Sequence, residues 1–363
     1  SLDVPSGLCS DTGKPFFGGA AFSAFTLTVG FVKQGLVQDS AMPYVGNLVR
    51  IDLGFPSILI DQLSDTFPLR ITSLDLAEMP LPQTSLAASK YQRGRVLVIA
   101  GSNQYYGAAW LALQGVIASG AGSIKALVPK TLADSLWQVA PEVVLLNGFD
   151  SSESENSLDS FLASHDLSRV DALLIGPGLG DSEESCFLTS EVLKDFDGLL
   201  VLDADALNQI SSSAKGWKWI RERNSPTWIT PHLAEFRRLF PCIEKRTLLD
   251  AAIEAAQLSG AGVLLKGAHS VIADPMGRSW QLTDTAPWVA RTGLGDLLAG
   301  FVAGVGAISM VSEEGISCEV LASSAFMHAE AARSCKKGSS SSFIAESLAA
   351  LTKKVQARGL GDQ

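Results

Sequence analysis

The sequence predicts an α/β fold: a mostly parallel sheet with helices on both faces. Three observations predict it. Short apolar runs at Val96–Ala100, Ile124–Val128, Ala172–Ile175 and Leu199–Leu202 show no in–out alternation, as expected of strands buried on both sides. Segments with helical spacing separate these runs, the order that builds parallel sheets. Glycine-rich or polar turns follow several runs, and in open α/β sheets ligands sit at the carboxyl ends of the strands.

Composition narrows the function classes. The chain has 363 residues, with 28 Lys plus Arg against 38 Asp plus Glu, a formal charge of −10. That balance argues against non-specific nucleic-acid or anionic-membrane partners. An anionic small ligand needs a local site of N–H groups and a few cations. Hydrophobic residues make up 47% and charged residues 18%, which predicts a well-filled core and self-association into a homo-oligomer. Phe16–Val32 and Leu297–Val311 look membrane-like, but both fall short of ~20 apolar residues and are expected to be buried. The five cysteines (Cys9, Cys186, Cys242, Cys318 and Cys335) are widely spaced, which predicts reduced thiols and a cytoplasmic protein. The chain opens on Ser1 and reads as a fragment.

Residues 1–60 carry strand-like runs at Thr26–Val29 and Leu48–Leu53, too little to bury a core alone. In Asp3-Val4-Pro5-Ser6-Gly7 the proline and glycine force a turn, so Asp3 by itself reads as a surface-turn residue. Residues 61–89 contain Pro68, Pro80 and Pro82 and no long period, and read as a linker.

From residue 90 to 358 the strand–helix pattern is continuous. After Val96–Ala100 comes the polar turn Gly101–Gly107, then a helix over Ala108–Ser119, stopped by Gly120 and Gly122. Further strands are expected at Val143–Leu146, Trp228–Thr230 and Val263–Lys266, with an acidic loop at Ser151–Ser157. Gly176-Pro177-Gly178-Leu179-Gly180 follows one strand end. Asp203-Ala204-Asp205-Ala206-Leu207-Asn208 follows another, and its acids and amide could hold Mg²⁺ through water or cap the next helix. His232 in Thr230-Pro231-His232 reads as a helix cap or packing residue, with Glu235 matching the dipole. Lys266 at a strand end could meet phosphate or ribose oxygens, or face solvent. Val271–Ala273 and Ser279–Leu282 read as a β-hairpin, and helices are expected over Cys318–Ser334 and Ser342–Arg358.

The chain is organised around Thr292-Gly293-Leu294-Gly295-Asp296-Leu297-Leu298-Ala299-Gly300. Gly293 and Gly295 let backbone N–H groups turn inward, and the helix that follows adds its dipole, which makes an anion site. Asp296 in the first turn is placed to take a proton from a hydroxyl attacking phosphorus, or to serve as a cap. Ala299, Gly300, Ala303 and Gly304 provide a small face for close packing.

Taken together, these pieces resemble a family. From about Lys90 onward the chain resembles the ADP- or ATP-dependent NAD(P)H-hydrate dehydratases of the ribokinase-like superfamily. The likeness rests on Val98–Ser102 with Tyr106–Ala108, Gly176–Gly180, Leu202–Asn208, Thr230–His232 with Glu235, Leu265–Ala268 and Gly293–Gly300. Residues 1–60 resemble the closing part of an NAD(P)H-hydrate epimerase domain through Asp3-Val4-Pro5-Ser6-Gly7, Thr26–Gly30 with Lys33 and Gly35, and Val49–Pro56.

The resemblance implies a partial Rossmann-like epimerase piece ahead of a ribokinase-like domain. It implies dehydration of (6S)-NADHX or (6S)-NADPHX at the expense of ADP or ATP, with Mg²⁺ as cofactor and K⁺ for a complete epimerase domain. Asp296 becomes the catalytic base. Ala108, Gly178, His232, Asp296 and Asp3 become substrate contacts, and Lys266, Gly267, Ala268, His269, Ser270, Gly293 and Gly295 nucleotide contacts. Asp205 and Asn208 become water-mediated Mg²⁺ contacts and Ser6 a K⁺ contact. Two positions depart from the family pattern: Leu294 stands where Ser or Thr is common, and Ala234 where Gly is. Two other classes fit the same loop: a ribokinase-like kinase of a small hydroxylated vitamin or sugar, and a nucleotide-binding module without catalysis.

Overall fold

The computed structural model describes residues 1–359 apart from Glu78, Leu86, 147–160, Ala163, 181–190, 245–246 and Thr285. The acidic loop Ser151–Ser157, Cys186 and the chain end past Gly359 lie outside the described residues.

The described strands are β1 (Phe25–Val29), β2 (Asn47–Ile51), β3 (Leu69–Ile71), β4 (Arg95–Ile99), β5 (Ser123–Leu127) and β6 (Val143–Leu145). They continue with β7 (Ala172–Ile175), β8 (Leu199–Leu202), β9 (Thr227–Ile229), β10 (Gly262–Leu265), β11 (Val271–Ala273) and β12 (Ser279–Leu282). Ten of them form one sheet in the order β3-β12-β11-β10-β9-β8-β7-β4-β5-β6. Pairing is parallel except where β11 turns back against β10 and β12. The strand pattern reverses beside β7 and β4, and the loops that leave the carboxyl ends there build the site.

The apolar runs serve two faces. Val96 and Val98 of β4 join a core with Leu113, Phe301, Val302 and Phe326. Leu97 and Ile99 join a second core with Leu207, Phe236, Leu249 and Ala252. Seven helices carry the argument: α1 (Tyr106–Ser119), α2 (Asp205–Ser212), α3 (Leu233–Leu239), α4 (Leu248–Ser259), α5 (Leu294–Met310), α6 (Cys318–Ser334) and α7 (Ser341–Gly359). The first core lies under α1, α5 and α6, the second under α2, α3 and α4.

The small face of α5 does what its residues suggest. A Cβ on Gly300 would lie 1.8 Å from the Ala112 carbonyl oxygen of α1, and one on Gly115 would lie 2.1 Å from the Leu297 carbonyl oxygen. The two helix backbones therefore touch. α1 ends at Gly120, which takes a left-handed conformation with φ 81°.

Two expectations need correction. The stretch read as a linker supplies β3, which pairs in parallel with β12, and it sends Ile71 and Leu81 into the first core. A three-residue edge strand among prolines is too short to show a period. Phe16–Val32, expected to be buried, leaves Phe16, Phe17, Phe22, Phe25 and Phe31 exposed. The N-terminal unit has only the β1–β2 pair and a small core of Leu8, Leu36, Ala41 and Val45, which cannot cover these rings. Leu297–Val311 is buried along nearly all its length, as expected. Among the described residues no helix is long and apolar enough to cross a membrane.

Candidate active site

Four strand ends bring the chemistry together. Asp203, just past β8, is almost fully buried, and its Oδ1 accepts from Lys266 Nζ at 2.7 Å and from Thr230 Oγ1 at 2.8 Å. Lys266 lies just past β10, and its own N–H donates to the Pro231 carbonyl at 2.8 Å, so both its backbone and its ammonium are fixed. The Gly176–Gly180 turn leaves β7 and packs on the same place. Gly176, with φ +134°, lies so near the Asp203 carbonyl that a Cβ would be 1.8 Å from its oxygen. Gly180 N–H donates to Asp205 Oδ2 at 2.8 Å, and a Cβ on Gly178 would be 2.7 Å from the Ala108 Cβ.

The glycine corner of α5 closes this group. Gly293 is the left-handed N-cap (φ 89°) and brings no side-chain hydrogen bond, which leaves the first-turn N–H groups for an anion. A Cβ on Gly295 would lie 3.4 Å from Lys266 Nζ. The ammonium therefore lies against the glycine corner.

The charges are strongly interdependent. Burial pushes the Asp296 carboxyl up to about 6, with Asp203, Asp205 and Glu235 adding to it and Lys266 opposing. Burial also raises Glu235, with Asp203 in the same direction. Burial alone would lower the Lys266 ammonium, but Asp203, Glu235 and Asp296 outweigh it and hold the charge. An acid that is half-protonated near pH 6 suits a group that must accept a proton at neutral pH.

The residues expected at the site divide as follows. Asp296, Lys266, Gly293, Gly295, Gly178 and Ala108 converge. Lys266 does not face solvent. His232 is the N-cap of α3: its Nδ1 accepts from Ala234 N–H at 3.0 Å, and its own N–H donates to Glu235 Oε2 at 2.8 Å. His232 also bridges Lys266 across the strand ends. Asp205 is taken up by Gly180, and Asn208 Oδ1 accepts from the Arg238 guanidinium at 2.7 and 3.1 Å. In the Lys266–Ser270 loop, Ala268 and His269 N–H groups donate to Asp39 of the N-terminal unit.

Asp3 is no loose turn. With φ +64° it accepts from Val29 N–H at 3.2 Å and pairs with Lys33. Ser6 is exposed, and its carbonyl accepts the Ala21 N–H.

Sequence reasoning noted Asp203 but did not place it in the site, and it passed over His328. His328 lies buried on α6 beneath Leu294, and burial and Lys266 push it down to about 4, so it is neutral. A lone histidine in an alanine-rich helix gives no signal of such a position.

A family model describing NAD(P)H-hydrate dehydratase matches residues 96–354. The chain belongs to the NAD(P)H-hydrate dehydratase family. The match takes in β4, the Gly176–Gly180 turn, Asp203, Lys266 and Asp296, so the family assignment and the converging residues cover the same fold. Among relatives, the bifunctional NAD(P)H-hydrate repair enzyme Nnr of Gloeobacter violaceus is 38% identical over 305 residues, 83% of this chain and 58% of that protein. The Nnr of Synechocystis is 38% identical over 307 residues, 84% and 57%. The chain thus spans under three fifths of these relatives' length. Among solved structures, the ADP/ATP-dependent NAD(P)H-hydrate dehydratase of Bacillus subtilis, co-crystallised with ATP and Mg²⁺, is 25% identical with a TM-score of 0.60, covering 78% of this chain and 97% of that one. A ribokinase-like superfamily protein of Enterococcus faecalis, 24% identical with a TM-score of 0.66 over 80% and 97%, shares the dehydratase fold.

Proposed function

We propose that this dehydratase-family chain uses ADP or ATP to dehydrate (6S)-NADHX or (6S)-NADPHX, returning NADH or NADPH. One observation carries the reading: a half-buried acid, Asp296, sits in the first turn of a helix whose glycine corner faces Lys266 Nζ. Hydroxide is a poor leaving group and phosphate a good one. Asp296 takes the proton of the substrate hydroxyl as its oxygen attacks the terminal phosphorus, and the bond to the nucleotide breaks, releasing AMP from ADP or ADP from ATP. The Gly293–Gly295 N–H groups and Lys266 stabilise the transferring phosphoryl. The C–O bond of the phosphate ester then breaks with loss of a proton from the neighbouring carbon, and the dihydronicotinamide ring is restored. Ala108 and Gly178, in contact with each other, leave a small-residue wall for the hydrate, with His232 beside Lys266.

Mg²⁺ would neutralise phosphate charge when bound. Asp205 fits a water-mediated role through Oδ1, which accepts only a long 3.5 Å bond from Asn208 Nδ2 while Gly180 takes Oδ2. Asn208 fits less well, because the Arg238 guanidinium holds its oxygen. Ser6 is exposed, and its carbonyl accepts the Ala21 N–H; the K⁺ role proposed for it belongs to a complete epimerase domain. The test mixes purified protein, (6S)-NADHX and either nucleotide, and follows dihydronicotinamide absorbance. Recovery with ADP or ATP is expected. No recovery with either rejects the reading.

A further inference from the structure

We propose that Asp39 of the N-terminal unit is a positioning residue for the nucleotide loop Lys266–Ser270, an inference that rests on the dehydratase reading of that loop. Asp39 lies some 230 residues upstream, yet its carboxylate bridges two consecutive loop amides: Oδ1 accepts from His269 N–H at 2.9 Å and Oδ2 from Ala268 N–H at 3.3 Å. The approach is close: a Cβ on Gly267 would lie 3.2 Å from Oδ2, near enough that the carboxylate would have to give a little.

The rest of the loop is tied from within. Gly267 N–H donates to Ser270 Oγ at 3.3 Å, and Ser270 Oγ donates back to the Gly267 carbonyl at 3.2 Å. These bonds fix the loop's ends. Asp39 fixes its crown. A second bond holds the same N-terminal segment in place, because the buried Gln281 of β12 donates from Nε2 to the Val37 carbonyl at 2.9 Å. A cavity of about 430 Å³ borders His269, Val37 and Arg70 on the loop's far side. The His269 ring is buried with Nδ1 unbonded, 3.6 Å from Asp39 Oδ1. The buried His269 ring also bonds the Val37 and Thr283 backbone, so Asp39 supplies the two bonds at the crown of a loop held at several points. Lys266 begins that loop, so the shape of the crown reaches the phosphate corner. The N-terminal unit is therefore a strut for the dehydratase site, whatever becomes of the epimerase chemistry its sequence resembles.

The test compares wild type with Asp39→Ala and Asp39→Asn in the full chain. Hydrogen exchange of the Ala268 and His269 amides, measured without nucleotide, reads the clasp directly. Calorimetry with ADP and with ATP reads nucleotide affinity, and steady-state kinetics read hydrate KM and kcat. Asp39→Ala is expected to lose protection at both amides and to weaken nucleotide binding about tenfold, the scale of one charged hydrogen bond, while hydrate KM holds. Asp39→Asn, which keeps one acceptor, is expected to fall between. Unchanged exchange overturns the clasp. Lost protection with unchanged nucleotide affinity reduces Asp39 to a fastening between units and overturns the positioning role, and tighter nucleotide binding overturns it as well. Failure of the dehydratase reading shows separately, as absent absorbance recovery in wild type, with exchange and calorimetry still readable.

Discussion

Lys266 Nζ and Asp203 Oδ1 lie 2.7 Å apart past the ends of β10 and β8, reaching across β9 between them, and three carboxylates share this one ammonium. Lys266→Met leaves Asp203, Glu235 and Asp296 without their cation. Breaking a buried pair costs about 3–5 kcal/mol, so a loss of that size is expected at pH 8. Glu235 and Asp296, whose protons Lys266 now helps to expel, then hold them more readily in the folded state, so the deficit is expected to shrink as pH falls toward 5. Urea melts at the two pH values check this; a deficit independent of pH counts against the shared-cation account.

Asp296 sets activity against stability. Its carboxyl stands at about 6 in the fold against a usual 3.8. Above pH 6 the folded state must ionise it at a cost of roughly 3 kcal/mol, a penalty that grows between about pH 4 and 6 and is absent below. Asp296→Asn is expected to stabilise the protein by up to about 3 kcal/mol at pH 8 and to have no effect near pH 3.5. The same variant is expected to lose turnover by about two to four orders of magnitude while still binding nucleotide. Melts paired with kinetics read both. Wild-type kcat/KM is expected to fall with unit slope below about pH 6, where the base is protonated.

Gly300→Ala tests the helix contact. Alanine is the better helix former by about 1 kcal/mol, but its methyl would meet the Ala112 carbonyl. A net loss of at least ~2 kcal/mol is expected, on the scale of overpacking. Turnover is expected to fall too, because α1 carries Ala108 and α5 carries Asp296. A thermal melt showing equal or higher stability would remove the backbone contact from the argument for this site.

Leu294 faces Leu297, Ala332 and Ile344 in a small apolar cluster. Leu294→Ser restores the hydroxyl common in the family. It is expected to cost about 1–2 kcal/mol of stability from lost burial and to tighten nucleotide binding severalfold through a new hydrogen bond. Calorimetry with ADP and ATP is the measurement.

Much of the sheet was legible because of how it is buried. β7 and β8 fall on the expected residues, since strands covered on both faces leave continuous apolar runs. The glycine corner was legible because glycine suits Gly293's left-handed backbone and its close approach to Leu111. β3 was not, because pairing with β12 and not its own pattern makes it a strand. Asp203 was visible as an acid at a strand end, but its bond to a lysine 63 residues away is a product of the crossover. Asp39 left no trace, since nothing local marks a carboxylate that satisfies amides in another unit.

The short strand β3 has a practical meaning for anyone dividing this protein. It seals the rim of the ten-stranded sheet against β12, the strand whose Gln281 grips the upstream unit. A cut at residue 90, where the motif likeness starts, would strip that rim and offer β12 to neighbouring molecules. A piece that keeps β12 covered begins upstream of Leu69, within what a motif search alone would discard.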